Sequence, residues 1–524
     1  MKSRFSIVIS LSLIILSFLF NSLLYPGIDQ TQQRRKVKAP EFPTGLTWIN
    51  SEEKLSLEKF KGHIILFDFW TYSSINCLHI LPDLEYLQEK YKDEPFVILG
   101  VHSGKFYNEQ DAENVRSAVV RYHITYPVVV DEKRAIWRQY GAKAWPTFIL
   151  LDSEGYGLVV LTGEGRRQVL DQLIADALQQ GAKNKTLVNK TYSFKPPLIQ
   201  TSLLSFPTKL ALDSTANILY IADSGHNQII AAKLQSPDTA TILQRIGSGK
   251  KEFKNGDYSN AAFANPQGLT FHQSTLYVAD TDNHAIRAVD LTQKKVYTLN
   301  GDGKYGDFGQ PNSPTDLVFY DNTLYITMAG NNQLWKLDIA KKKLTLFVGN
   351  GYVNMIDGSA LGASLAQPSC ITLDEKTRRF YFVDSESSAL RCYSLPDNEV
   401  KTLIGQGLFK YGFGEGKFAE AALQNPLGIF YSTGKIYIAD TFNHALRVAD
   451  LEKGELRTLV SQINNSKTNI NIEGTATIAL SLWEPNGLLV VNDTIYIADT
   501  NNHQIRIYNM VTKKLDTLKI TEED

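Results

Sequence analysis

The residues with the clearest chemical potential lie at the start of a predicted helix, in the sequence Ser73-Ser74-Ile75-Asn76-Cys77. Disulfide exchange by a dithiol needs two cysteines separated by two residues, because one attacks as the thiolate and the other resolves the mixed disulfide. Here Ser74 occupies the attacking position and only Cys77 keeps its sulfur. A serine hydroxyl cannot form a disulfide. Two alternatives therefore stay open for Cys77: a buried, inert thiol, or a single reactive thiol whose pKa is lowered by the helix N-terminus.

Strands that alternate with helices must position this motif. The continuous apolar run Ile64–Phe69 predicts a strand buried on both faces, and helical spacing of leucines predicts one helix over Cys77–Tyr91. Segments 46–48 and 55–57 are interpreted as a short hairpin. Over residues 45–182 this alternation predicts an α/β domain with a mostly parallel sheet.

A repeat of about 50 residues fills the second half of the chain. Each copy opens with proline and an apolar strand, continues with a tyrosine-rich strand that ends in Ala-Asp or a close variant, and closes with two further strands. The copies begin at Pro207, Pro266, Pro314, Pro368, Pro426 and Pro485. Six copies of four strands each predict an all-β six-bladed propeller.

The N-terminal segment is the third organisational feature. Lys2 and Arg4 precede an apolar run over residues 5–24, long enough to span the roughly 30 Å hydrocarbon core of a bilayer. No small-residue cleavage pattern follows the run, which favours an uncleaved signal-anchor over a cleaved signal peptide. Basic residues on both sides of the run give opposing orientation signals, and the short basic N-tail favours export of the following domains.

These patterns divide the chain into five segments. A signal-anchor or transmembrane helix is predicted over residues 1–27, a polar linker over 28–44, the α/β domain over 45–182, a connector over 183–206 and the propeller over 207–520. We expect a single-pass protein of the cell membrane, with its soluble domains on the periplasmic or outer side. The connector could also lend a strand that closes the propeller ring.

Two families resemble parts of this sequence. Residues 40–182 resemble the thioredoxin superfamily through Asp68-Phe69-Trp70, Cys77 and Trp145-Pro146-Thr147, and the repeat resembles NHL repeats. The resemblance implies a thioredoxin-like fold followed by an NHL-type propeller. It also implies that relatives with this domain order carry cysteine at the positions of Ser73 and Ser74.

Most candidate site residues follow from the thioredoxin resemblance. Cys77, Ser74, Asp68 and Pro146 become the catalytic candidates. Asp68 matches a buried carboxylate that assists proton transfer at the second cysteine, and Pro146 matches a cis-proline that faces the motif, where an extended peptide can pair. The candidate substrate-binding residues are Trp70, Trp145 and Thr147.

The propeller repeats carry polar residues that need a separate interpretation. An Asp-x-x-x-His pattern could suggest a metal, but one copy per blade spreads these side chains around the ring, so structural roles are favoured. The arginines that recur after it are predicted to pair with neighbouring blades. The cysteines are assigned to the first and third strands of one blade, too far apart to bridge. The residues concerned are His226, His284, His444, His503, Arg287, Arg391, Arg447, Arg506, Cys370 and Cys392.

Composition limits the possible functions further. Basic and acidic residues number 54 and 55, a net charge of −1, which gives no long-range attraction for nucleic acid. No cofactor-binding or metal-binding motif is predicted. We expect a membrane-anchored module that binds proteins or peptides and carries a degenerate Ser-x-x-Cys site. The alternatives are a thiol–disulfide oxidoreductase or isomerase acting through Cys77 alone, and a lyase or hydrolase on the propeller.

Overall fold

A computed structural model describes residues 37–192, 194, 202–305, 309–461 and 481–522. The predicted membrane segment, residues 1–27, lies outside these ranges. Among the helices in the described ranges, none combines the length and the apolar composition needed to cross a bilayer.

The first domain is a mixed sheet covered by helices, with the strand order β1-β4-β3-β2-β5-β6. Strands β2, β3 and β4 are parallel, and β1, β5 and β6 run against their neighbours. The strands are β1 (Thr47–Ile49), β2 (Ile64–Trp70), β3 (Phe96–His102), β4 (Val128–Val130), β5 (Thr147–Leu151) and β6 (Gly157–Thr162), and the helices are α1 (Ile75–His79), α2 (Leu81–Lys90), α3 (Ala112–Arg121), α4 (Ala135–Gln139) and α5 (Arg167–Asn184). Short 3-10 helices cover Glu58–Phe60 and Asn108–Gln110.

The apolar run in β2 explains the centre of this domain. All seven residues of β2 are buried, as are all seven of β3, because helices and loops cover both faces of the sheet. Three predictions were wrong. The sheet is mixed and not mostly parallel, because β1, β5 and β6 run antiparallel to their neighbours. The predicted hairpin does not form: β1 pairs with β4, and no strand forms over residues 55–57. The predicted single helix is two, because α1 ends before Ile80 and α2 begins one residue ahead of Pro82, a residue favoured in a first helical turn.

The six-bladed propeller is confirmed, and its blades are four-stranded antiparallel sheets, some with an added short strand. Blade 1 contains β7 (Pro207–Asp213), β8 (Ile218–Asp223), β9 (Gln228–Ser236) and β10 (Thr239–Ile246); blade 2 contains β11 (Gly256–Asp257), β12 (Pro266–His272), β13 (Thr275–Asp280), β14 (Ala285–Asp290) and β15 (Lys295–Asn300); blade 3 contains β16 (Pro314–Tyr320), β17 (Thr323–Met328), β18 (Gln333–Asp338) and β19 (Lys343–Val348). Blade 4 contains β20 (Gly358–Ser359), β21 (Pro368–Asp374), β22 (Arg379–Asp384), β23 (Ala389–Ser394) and β24 (Glu399–Ile404); blade 5 contains β25 (Gly416–Lys417), β26 (Gly428–Ser432), β27 (Lys435–Asp440), β28 (Ala445–Asp450) and β29 (Glu455–Val460); blade 6 contains β30 (Pro485–Val491), β31 (Thr494–Asp499), β32 (Gln504–Asn509) and β33 (Lys514–Thr517). Short 3-10 helices follow the second strand of five blades: Ser224–His226, Ala329–Asn331, Ser385–Ser387, Thr441–Asn443 and Thr500–Asn502.

One long strand of each blade, the inner strand, lies against the inner strand of the next blade, so these strands surround the ring axis. The inner strands are β7, β12, β16, β21, β26 and β30, and β30 closes the ring on β7. A C-terminal strand, β34 (Lys519–Glu522), pairs in parallel with β10 on the outside of blade 1. The chain end thus ties blade 6 to blade 1. No strand of the described part of the connector takes part.

Buried ion pairs lie within four of the six blades, which corrects the predicted pairing of arginines with neighbouring blades. Arg287 Nη1 donates to Asp280 Oδ2 at 2.6 Å, and both side chains are fully buried. Corresponding pairs lie within the other blades concerned: Arg391 with Asp384, Arg447 with Asp440, and Arg506 with Asp499. Removal of one partner would leave an uncompensated buried charge, so these pairs fix the blade geometry.

Histidines connect successive blades instead. The Nδ1 atoms of His284, His444 and His503 accept hydrogen bonds from the backbone N–H that precedes the next inner strand, at 3.0 to 3.1 Å. The structural role predicted for these three side chains is confirmed. His226 differs, because its Nδ1 lies 2.8 Å from Asp223 of the same blade and Asn227 takes the connecting position. Cys370 and Cys392 lie on the first and third long strands of blade 4, buried and unbridged, as predicted.

Candidate functional site

The loop after β2 carries the Ser-x-x-Cys motif into α1. Ser74 caps this five-residue helix and is partly exposed, whereas Cys77 is fully buried in the core of the domain. Burial, reinforced by the nearby Asp68 carboxylate, raises the pKa of Cys77 well above its ordinary value. The effect of burial therefore outweighs that of the helix N-terminus, and the thiol form predominates at neutral pH.

Asp68 lies on β2 beneath the motif. Its side chain is fully buried, and burial raises its pKa to about 7 in spite of a hydrogen bond from Tyr126. Tyr126 Oη donates to Oδ2 at 3.1 Å, while Oδ1 has no partner among the described residues. A carboxyl group with this pKa exchanges protons near neutral pH, which suits a proton acceptor for a buried neighbour.

The peptide bond between Trp145 and Pro146 is cis. Trp145 is partly exposed and donates from Nε1 to the carbonyl of Ser103 at 3.0 Å. The other two candidate substrate-binding residues are not at the surface, since Trp70 and Thr147 are fully buried. Of the three, only Trp145 presents its side chain to solvent.

Glu109, a buried glutamate that sequence reasoning missed, holds the motif loop in place by hydrogen bonds. Glu109 is 1% exposed and accepts hydrogen bonds from the backbone of Ser73 at 3.1 Å, from Lys105 at 2.8 Å and from Phe106 at 3.0 Å. Thr71 also donates to it through its hydroxyl. These hydrogen bonds tie the motif loop to the segment that contains Lys105 and Phe106.

The propeller covers the outer side of the same loop. Gln367, which precedes the inner strand of blade 4, accepts a hydrogen bond from the backbone N–H of Ile75 at 2.9 Å and donates to the carbonyl of Ser73 at 2.8 Å. These two bonds bracket Ser74. The glutamine amide therefore satisfies the backbone groups on both sides of the position where a dithiol site would have its attacking sulfur.

A second contact with the loop comes from blade 6. Glu484 Oε1 accepts hydrogen bonds from Tyr72 Oη at 2.8 Å and from Asn108 Nδ2 at 2.6 Å. Glu484 is 5% exposed, and burial raises its pKa. The Tyr72 ring also packs edge-on against Phe442 of blade 5, with centroids 5.4 Å apart.

A third contact is an ion pair. Lys105 Nζ donates at 2.7 Å both to a carboxylate oxygen and to the backbone carbonyl of Glu386 in blade 4. Tyr411 Oη donates to the Lys105 carbonyl at 2.6 Å, and the Tyr411 ring packs on Phe106. Blades 4, 5 and 6 thus contact the edge of the thioredoxin-like domain that carries the motif.

Two of these three contacts, those of Gln367 and Glu484, share a structural origin in the repeat. The residue before the inner-strand proline has a left-handed backbone in all six blades, with φ between 43° and 59°, and its N–H bonds to the preceding blade. We call these residues the pre-proline ring: Phe206, Asn265, Ser313, Gln367, Asn425 and Glu484. Their side-chain types differ within an otherwise regular repeat, which was the available sequence signal for this surface.

The fold and the site together define a class: a thioredoxin-like domain whose motif face is docked on a propeller of NHL type. The family described as Thioredoxin-like matches residues 62–157, and the family described as NHL repeat matches residues 482–508.

Two relatives extend the match over most of the chain, and a third matches the first domain alone. The chain is 34% identical over 549 residues to human NHL repeat-containing protein 2, covering 95% of this chain and 74% of that protein. It is 38% identical over 509 residues to the Arabidopsis thaliana protein SUPPRESSOR OF QUENCHING 1, chloroplastic, covering 92% of this chain but only 48% of that protein. It is 26% identical over 162 residues to the thiol-disulfide oxidoreductase ResA of Bacillus cereus, covering 31% of this chain and 90% of that protein. The chain belongs to the family of NHL repeat-containing protein 2.

Proposed function

We propose that this protein is a binding or scaffold module in which a redox-degenerate thioredoxin-like domain and a propeller act as one unit. The observation that carries the proposal is the Gln367 contact. A propeller side chain hydrogen-bonds to the backbone groups on both sides of Ser74. This is the face where an active thioredoxin-type site would meet its substrate. The buried Cys77 and the missing second thiol agree with this function.

Exposed aromatic residues on the propeller rim supply a surface for a protein partner. Tyr352, in the loop before blade 4, is 77% exposed, and Phe409, in the loop before blade 5, is 74% exposed. Tyr107 of the thioredoxin-like domain, 64% exposed, packs against Tyr411 of the second loop. Exposed aromatic side chains that neighbour polar residues are typical of protein-binding surfaces.

Chemistry through the single thiol of Cys77 is the second candidate, and one observation favours it. Asp68, with its pKa raised to about 7 and one oxygen unpartnered, lies close enough to Cys77 to raise the pKa of that thiol. A proton acceptor is therefore in place if the thiol becomes accessible. The partner would be a protein disulfide, and a separate reductant would resolve the mixed disulfide.

Membrane attachment belongs to the same proposal and rests on sequence. The apolar run over residues 5–24 would anchor the chain, and the basic residues ahead of it favour an extracytoplasmic position for both domains. Carbonate-resistant membrane fractionation of the full chain, combined with protease accessibility in intact cells, tests anchoring and orientation. Release of the protein by carbonate would contradict the anchor.

The alkylation rate of Cys77 decides between binding and thiol chemistry. We would measure it against pH in protein with Cys370 and Cys392 replaced, in native buffer and in denaturant. The binding proposal predicts labelling that becomes fast only in denaturant. Fast native labelling with an apparent pKa below the free-cysteine value of about 8.5 would support the thiol alternative.

Partner binding by the exposed aromatic residues of the propeller rim can be tested separately. We would compare chemical crosslinking of the native protein with that of a Tyr352→Ala/Phe409→Ala variant. We expect the variant to lose the specific adducts that the native protein forms with partner proteins. Val511→Ala is the matched control, because Val511 is 71% exposed on blade 6, away from these loops. Adducts that are equal in all three proteins would exclude this surface as the binding site.

A further inference from the structure

Three side chains from two domains form a hydrogen-bonded series at the domain interface. His79, the last residue of α1, has its Nε2 2.6 Å from Ser313 Oγ of the propeller. Its Nδ1 lies 2.8 Å from Oε2 of Glu164, in the loop after β6. Serine, histidine and carboxylate in this order, each within hydrogen-bonding distance of the next, have the arrangement that activates a serine nucleophile.

The surroundings fix the proton positions. Burial alone would raise the pKa of Glu164. The hydrogen bonds that His79 and Tyr305 make to the carboxylate outweigh burial, so the pKa of Glu164 lies below its ordinary value. When the ring is neutral, an ionised Glu164 accepts a hydrogen bond from His79 Nδ1–H, which leaves Nε2 as the acceptor for the Ser313 hydroxyl. The imidazole is therefore oriented to take a proton from Ser313 Oγ.

The series opens onto a cavity between the domains. Ser313 is 1% exposed, yet it lines a cavity of about 500 Å³ together with His79 and His284. Apolar side chains of the thioredoxin-like domain, Leu78 and Pro82 among them, line the same cavity. Its volume suits a small organic molecule, which could approach Ser313 from this space.

His284 supplies a hydrogen-bond donor in the same cavity. Burial lowers the pKa of His284 to about 4, so the ring is neutral at pH 7. Its Nδ1 accepts the backbone N–H of Ser313 at 3.0 Å, and the proton of the neutral ring is therefore on Nε2. Because His284 lines the cavity that Ser313 also lines, this N–H is the donor we assign to a developing oxyanion.

The left-handed backbone does not distinguish Ser313 from the other members of the pre-proline ring, because all of them share it. The side-chain pairing is what distinguishes this member. Gln367 and Glu484 also contact the thioredoxin-like domain, but they bond to backbone groups, a phenol and an amide. Among the described members, Ser313 alone has its side chain bonded to a histidine that a carboxylate orients.

We propose that Ser313, His79 and Glu164 form a nucleophilic site that hydrolyses small carboxylic esters in the interdomain cavity. Ser313 Oγ attacks the ester carbonyl carbon while His79 Nε2 takes the hydroxyl proton. Collapse of the tetrahedral intermediate breaks the C–O bond, and the departing alkoxide takes that proton from His79. Water then attacks the acyl-serine with His79 as base, which releases the acid and returns the proton to Ser313.

The test uses the full chain and two probes: p-nitrophenyl butyrate, and a biotinylated fluorophosphonate whose attachment site is mapped by peptide mass spectrometry. We expect labelling at Ser313, and neither labelling nor hydrolysis in Ser313→Ala. His79→Asn should slow both by about 100-fold or more, the usual cost of losing a general base. Ser388→Ala is the matched control, because Ser388 is also a buried propeller serine but its hydroxyl accepts a backbone N–H.

Glu164 acts through His79 and is a positioning residue. Glu164→Gln is expected to lower kcat with little change in KM, and Glu164→Asp should recover part of kcat, a pattern that loss of interface packing would not give. A wild-type protein that is unlabelled at Ser313 and hydrolyses the ester no faster than buffer overturns the proposal, even if Ser313→Ala fails to fold. Cys77 alkylation involves none of these residues, so this proposal and the proposed binding function can fail separately.

Discussion

The ion pair between Lys105 and Glu386 offers the sharpest test of domain docking. Lys105 has a side chain only 3% exposed, and its ammonium group makes two 2.7 Å contacts with Glu386, whose side chain is 20% exposed. Burial raises the pKa of Glu386 even though Lys105 opposes the shift. The carboxylate therefore depends on Lys105 to remain charged in this interface. Lys105→Met keeps most of the apolar stem and removes only the charge.

The expected loss follows from burial of the unpaired partner. Removal of one partner from a buried pair costs about 3–5 kcal/mol, and partial exposure of Glu386 reduces this to about 2–3 kcal/mol. Glu386→Gln in the Lys105→Met background removes the unpaired charge, so the double variant should be more stable than Lys105→Met alone. We expect a coupling energy of about 1–2 kcal/mol from the double-mutant cycle.

Denaturant unfolding of the full chain, followed by tryptophan fluorescence, measures these differences. Lys401→Met is the matched control: its pair with Glu399 spans a similar 3.0 Å, but the side chains are 67% and 44% exposed. Exposed pairs contribute about 0–1 kcal/mol. A Lys105→Met protein whose unfolding midpoint matches that of the control would refute the claim that this contact holds the domains together.

Two further predictions concern the buried core. Because the pKa of Asp68 is about 7 in the folded protein and 3.8 is its ordinary value, the folded state binds this proton more tightly than the unfolded state. Stability is therefore gained as the pH falls from 7 to 5, by about 2 kcal/mol relative to Asp68→Asn, and is lost as the pH rises; parallel pH profiles of unfolding free energy for the two proteins would contradict this. Gly428→Ala should destabilise the propeller by about 3 kcal/mol or more, because its Cβ would lie 1.6 Å from the Asn486 carbonyl oxygen of the next blade, whereas Gly157→Ala has no contact closer than 3.8 Å and should be neutral in thermal melting.

The repeat made the propeller predictable. Each copy carries its own strand and turn signals, so the number of blades and their inner strands follow from the positions of the six prolines. The same regularity misled the interpretation of the arginines. A residue that recurs once per blade can pair with its own blade or with the next, and sequence spacing does not distinguish the two. The seven-residue separation of Asp280 and Arg287 places them on adjacent strands of one blade.

Local pattern also failed where a strand paired with a distant partner. Leu46-Thr47-Trp48 and Leu55-Ser56-Leu57 have the spacing of a hairpin, yet β1 pairs with β4 about eighty residues further along the chain. Burial of Ile49 in the core of the sheet accounts for this choice, because pairing with an isolated neighbour would leave the apolar side chain exposed. Tertiary packing outweighed the local signal.

The docking of the two domains could not be predicted from either domain alone, since it depends on two surfaces that meet. Ser74 identifies the motif as degenerate from sequence alone. Nothing in the motif's spacing indicates that a propeller glutamine would hydrogen-bond to the backbone on both sides of Ser74. That glutamine is separated from the loop by nearly 300 residues. The pre-proline positions share one backbone geometry but differ in side-chain type, because the interblade hydrogen bond uses the backbone N–H and not the side chain. The ring can therefore carry different side chains on one backbone geometry, and in this chain four of its members, Phe206, Ser313, Gln367 and Glu484, contact the thioredoxin-like domain.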